Sequence, residues 1–83
     1  KATRPINVIA KEILAEINSG SWSKSAAVYA LPYLRAMQEL SDIHDKYLLD
    51  SGRSIVLYFL SNANTWRGET ARRIKTELKG LLA

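Results

Sequence analysis

The feature that most constrains this chain is a run of six apolar residues, Ile55-Val56-Leu57-Tyr58-Phe59-Leu60, in a sequence of only 83 residues without cysteine. At this size a single hydrophobic core only just offsets chain entropy. With no disulfide framework and no thiolate metal site available, packing alone must hold the fold. Asp50 or Ser51 can cap the run, and the turn-prone stretch Ser61-Asn62-Ala63-Asn64-Thr65 follows it. The run therefore predicts a helix over roughly residues 51–62, apolar around most of its circumference and covered on several sides, with Phe59 buried.

Three more helical segments surround it. Thr3 and Pro5 form a helix entry, because proline in a first turn gives up an amide that has no partner anyway. Ile6, Ile9, Ala10, Ile13 and Ile17 then recur along one face until Asn18-Ser19-Gly20-Ser21. Between Ser25 and Leu40 a stripe of Ala27, Ala30, Leu34, Met37 and Leu40 contains Pro32, which either kinks a continuous helix or begins the main one near Ala30. The polar, aspartate-rich stretch from Ser41 to Gly52 reads as a connector holding at most a short helical turn, with Ile43 and Tyr47 facing one way. Thr65 or Gly68 opens a last helix whose Ala71, Ile74, Leu78 and Leu81 form a buried stripe. No strand shows clean alternation and no repeat is present. The expectation is an all-α fold: one helical domain over residues 1–83, a compact bundle of about four helices around the apolar one.

Charge is concentrated at the C-terminal end. The net charge is +4, enough to favour acidic partners. In the last helix Glu69, Arg73 and Glu77 follow at i, i+4 and can neutralise one another along one edge. Arg72, Lys75 and Lys79 lie on the other edge, where Lys75 and Lys79 have no acid within helical reach and Arg72 shares only Glu69. One reading of this ridge is a solvated face with cations near the helix C-terminus, where the macrodipole favours them. The other is phosphate contact by Arg72, Lys75 and Lys79 with Arg67, aided by Arg53 and Arg4, in the outline of a helix-turn-helix. Trp66 and Trp22 flank loops and serve either as lids on the core or as contact residues; Trp66 joins the ridge as a candidate. One of Tyr29, Tyr33 and Tyr47 is expected at the surface.

Little in the sequence points to catalysis. The single histidine, His44, stands between Asp42 and Asp45 in the connector, without the spacing of a standard metal loop, and a capping or solvated role fits all three. There is no glycine-rich phosphate loop and no nucleophile with a partnered base. No enzyme activity, metal or cofactor is expected. No apolar stretch approaches the roughly 20 residues that cross a bilayer. The opening residues lack the apolar core of a signal peptide, which points to the cytoplasm.

The segments Arg4-Pro5-Ile6-Asn7-Val8-Ile9-Ala10, Pro32-Tyr33-Leu34, Ala36-Met37, Ser54 to Leu60 and Thr65 to Lys75 resemble small all-α proteins encoded by bacteriophages and prophages. That resemblance implies a context only: the cytoplasm of a bacterial host, and a partner that is a host protein, a nucleoprotein complex or DNA. It assigns no functional residue. The combined expectation is a non-catalytic binding module, a regulator or inhibitor that meets a nucleic-acid-containing or acidic target through Trp66, Arg67, Arg72, Lys75 and Lys79. The alternative is a protein interaction module, homodimeric in one form, that uses Val8, Leu57 and the tyrosines while its charges serve solubility.

Overall fold

Four helices follow one another in the computed structural model, which describes residues 4–20, 22 and 24–82: α1 (Ile6–Asn18), α2 (Lys24–Met37), α3 (Gly52–Ser61) and α4 (Glu69–Leu82). Between α2 and α3 stands a small antiparallel hairpin, β1 (Lys46–Tyr47) and β2 (Asp50–Ser51). The fold is an all-α bundle, with that hairpin the only sheet among the described residues.

Helix α1 forms as its spacing requires. Pro5 occupies the N-cap in an extended conformation, and Ile6, Ile9, Ala10 and Ile13 are buried. The expected contribution of Thr3 lies outside the described residues. The free amides at the start of α1 are not left to solvent: Ile6 and Asn7 donate to the carbonyls of Ser41 and Leu40 at 3.2 and 2.9 Å, tying α1 to the end of the α2 segment.

Helix α2 runs continuously through Pro32, which decides between the two readings of that residue. Proline removes the donor that the Val28 carbonyl would otherwise receive. Val28 and Pro32 both lie on the exposed side, where water can serve that carbonyl. Ala27, Ala30, Leu34, Ala36 and Met37 face inward; Leu40 is buried beyond the helix end, its amide donating to the Met37 carbonyl.

The connector departs from expectation. Ile43 and Tyr47 do pack against the core, but residues 46–51 form a hairpin in place of a helical turn, pairing Lys46 with Ser51 and Tyr47 with Asp50. Its two-residue loop is Leu48-Leu49, with Leu48 at φ 58°, a left-handed conformation that costs a non-glycine residue about 1–2 kcal/mol. Such loops usually carry glycine or asparagine. With strands two residues long and leucines at the turn, the sequence has no alternation or turn signal to read. The hairpin base is well held. Asp45 Oδ2 accepts the amides of Ser41 and Asp42, Asp42 Oδ1 accepts that of His44, and the Gly52 amide donates to the Asp45 carbonyl. Both aspartates thus take the capping role expected of them. A side chain at Gly52 would meet the Ile43 carbonyl at 2.9 Å, so the close approach needs glycine.

Helix α3 is capped by Ser51, whose hydroxyl accepts the Ser54 amide. It sends Ile55, Val56 and Phe59 into the core, Phe59 completely. Leu57 and Tyr58 remain exposed, so the apolar run is wrapped on its core side and not all round. Trp22 and Trp66 stack with centroids 4.7 Å apart, and the Trp22 ring lies 6.3 Å from that of Phe59. Both are buried in the core, as the lid reading expects. Helix α4 starts at Glu69, just after Gly68 at φ 116°, and buries Ala71, Ile74 and Leu78. Among the described residues, no helix is long and apolar enough to cross a membrane.

Candidate nucleic-acid interface

The buried stripe of α4 leaves two charged flanks, and the structure treats them differently. On one flank, Arg4 reaches across from the chain start and grips Glu77 with two parallel bonds of 2.8 and 2.6 Å, while its third nitrogen holds Glu12 at 2.8 Å. The other oxygen of Glu12 accepts from Arg73. Four charges from three segments thus close on one another. The arginine contacts hold the Glu12 and Glu77 carboxyls below the usual carboxylate range, the hydrogen bonds from Arg4 being the largest cause in both.

This network corrects two expectations. Arg73 is neutralised, but by Glu12 of α1 and not within an intrahelical ladder; Glu77 belongs to Arg4, and Glu69 is exposed and makes no ion pair among the described residues. Sequence spacing shows only neighbours on the same helix, and a carboxylate from α1 wins because Arg4 and Arg73 both converge on it. Arg4 is therefore engaged and is not a phosphate contact. Arg53 is engaged too, donating to the Leu82 carbonyl at 2.5 Å at the open end of α4.

The other flank holds the remaining candidates together. Trp66, Arg67 and Gly68 from the 62–68 turn, with Ala71, Arg72, Lys75, Thr76 and Lys79 from α4, line one open cleft of about 330 Å³. Four cations share its lining and no carboxylate does. Gly68 makes the turn possible: at φ 116° a side chain would be strained even though space is free around it. Lys75 is the most constrained cation. Its Nζ donates to the Trp66 carbonyl at 2.6 Å and lies 5.8 Å from the centre of the Trp66 ring. Partial burial, and then the positive charges of Lys79 and Arg67, push its pKa below the ordinary lysine value.

Trp66 has a narrower part than expected. It is 2% exposed and its ring is stacked on Trp22, so it forms the inner wall of the cleft and offers no face to a base. The helix-turn-helix outline does not hold either, since residues 62–68 separate α3 from α4 where that motif uses a turn of roughly 3–4 residues. The arrangement is suited to anions whose recognition rests on charge and hydrogen bonds. Sequence reasoning missed Thr76, which lies one turn from Arg72 and from Lys79 and adds a neutral hydroxyl to the cleft. Its spacing was legible; its lack of charge hid it.

Outside the cleft lining several large apolar side chains are exposed. Tyr29 is the exposed member of the three tyrosines singled out, and Tyr33 lies half-buried with its ring 6.0 Å from that of Tyr58. Val8 and Leu57 are also exposed. Comparison with protein-family models, with curated proteins and with solved structures finds no match to this chain.

Proposed function

We propose that this protein is a non-catalytic helical binding module that docks on the phosphates of a nucleic-acid-containing target through Arg67, Arg72, Lys75 and Lys79. The observation that carries this reading is the acid-free cleft: Arg4, Arg53 and Arg73 are each held by an acceptor elsewhere in the fold, while these four cations share one concavity with no carboxylate in its lining. From Arg72 to Lys79 is seven steps along the helix, about 10 Å of rise, enough to meet two or three phosphates. The resemblance read in the sequence, if it holds, would make the module a regulator or inhibitor in the cytoplasm of a bacterial host. With Trp66 sealed into the core, binding reads charge and not base identity.

The test is binding of a labelled DNA duplex by fluorescence anisotropy across a salt series. The parent should show a log-log slope of roughly −2 to −3, from two or three neutralised phosphates. Reversal of Arg72, Lys75 and Lys79 to glutamate should abolish binding with the fold retained by circular dichroism. A folded triple variant that binds at parental affinity in low salt would remove the cleft from the mechanism.

A second reading rests on Val28, Tyr29 and Tyr58, which are 64%, 67% and 53% exposed. In that reading the module meets a protein, a second copy included, through apolar contact. The triple reversal would then leave the complex intact, and Tyr29→Ala or Tyr58→Ala would release it.

A further inference from the structure

The shape of the cleft says more than its charge. Arg72, Lys75 and Lys79 follow one edge of α4 and can meet successive phosphodiesters, but backbone tracking along that edge has no use for a further cation from the preceding turn. Here Arg67 comes from the turn and Arg72, Lys75 and Lys79 from α4, and together they line a single concavity of about 330 Å³. Cations that share a concavity favour charge gathered on one group. An internal phosphodiester carries one negative charge, whereas a phosphomonoester carries about −1.5 to −2 at pH 7 and presents three strong acceptor oxygens.

The donors suit such a group. Lys75 is oriented by its bond to the Trp66 carbonyl, which uses one of the three ammonium hydrogens and leaves two for a ligand. Arg67 and Arg72 are exposed and bring planar forks that match phosphate oxygens in pairs, and Thr76 adds a hydroxyl. The one aromatic residue in the lining is stacked into the core and offers no platform for a base.

We infer that the cleft of Arg67, Arg72, Lys75, Thr76 and Lys79 is an end site, taking the terminal phosphomonoester of a nucleic-acid strand in preference to its internal phosphodiesters. This rests on the nucleic-acid reading above and sharpens it from backbone contact to recognition of strand ends.

The experiment compares two short DNA duplexes of one sequence, one with 5′-phosphate and one with 5′-hydroxyl ends, against the whole protein at fixed salt. The phosphate-ended duplex should bind about tenfold more tightly, the ratio expected of one or two added charge-assisted hydrogen bonds. Inorganic phosphate should erase that advantage, and Lys75→Met should reduce it. Because the comparison of ends uses the parent protein, it decides the matter even where Lys75→Met fails to fold. Equal binding of both duplexes, still salt-dependent and still abolished by the triple reversal, would overturn the end site while leaving the proposed function standing. No binding of either duplex at low salt would overturn both. A phosphoserine peptide that binds as tightly as the phosphate-ended duplex would overturn the assignment to nucleic-acid ends and give the cleft to phosphoproteins.

Discussion

The two flanks of α4 carry similar side chains to opposite ends. On the flank of Arg73 and Glu77, charges meet partners from the chain start and from α1, and the outcome is a clamp across three segments. On the flank of Arg72, Lys75 and Lys79, the neighbours are a turn with a further arginine and a tryptophan wall, and no acid in the cleft lining answers the cations. A basic residue in a sequence therefore has no fixed meaning. Its role depends on whether the tertiary fold brings a carboxylate to it, and here the fold brings Glu12 to one flank only.

Both flanks ride on one core, and the largest expected effect is there. Phe59→Ala should cost about 3–5 kcal/mol by leaving a cavity in that core. A melting temperature within a few degrees of the parent would mean that Phe59 does not hold the two flanks on a common core. Next in size, Glu12→Gln takes away the acid shared by Arg4 and Arg73. With these groups about one-third to one-half exposed, the loss should be about 1 kcal/mol by chemical denaturation.

That loss should depend on pH in a definite sense. Glu12 and Glu77 have folded-state pKa values below the unfolded value near 4.5, so their contribution is present above that pH and disappears as pH falls through the folded values. The Glu12→Gln, Glu77→Gln double variant should lose less stability than the parent on acidification. Parallel curves would mean that the clamp is not formed in solution.

The open flank should behave in reverse. The Arg72 side chain has no bonded partner among the described residues and sits in the first half of α4, where a cation opposes the helix dipole. Arg72→Gln should therefore leave stability within about 0.5 kcal/mol or raise it. A loss as large as that of Glu12→Gln would show a hidden partner and erase the contrast. The smallest effect lies on the alkaline side. Lys75 has its folded pKa below 10.5, so in the window just under that value the unfolded chain binds more protons and stability should rise with pH, a limb that Lys75→Met should flatten.

Much of the fold is legible in the amino-acid sequence. The stripes from Ile6, Ala27 and Ala71 follow helical periodicity and are buried as far as Ile13, Leu40 and Leu78, because each repeats one face over several turns; Ile17 and Leu81, expected in the same stripes, lie near helix ends and are only partly buried. The cations of the cleft are legible for a similar reason: Arg72, Lys75 and Lys79 share a helix edge, and spacing along one helix is a local property. What stays hidden depends on contact between distant segments. The pairing of Arg4 with Glu77 joins the two ends of the chain, and Arg53 meets a carbonyl at the end of another helix. The hairpin is hidden for another reason, since Leu48 adopts a left-handed conformation that leucine seldom takes.

We propose that the acid-free flank of α4, and not the clamp or the exposed tyrosines, is where this protein meets its target. Amide chemical-shift mapping by nuclear magnetic resonance, with a short DNA duplex titrated into the labelled protein, tests this most directly. The largest shifts are expected at residues 66–79, concentrated at Arg67, Gly68, Arg72, Lys75, Thr76 and Lys79, with Glu12, Tyr29 and Tyr58 unmoved. Shifts centred on α1 or on Tyr29 and Tyr58, with the cleft silent, would contradict it.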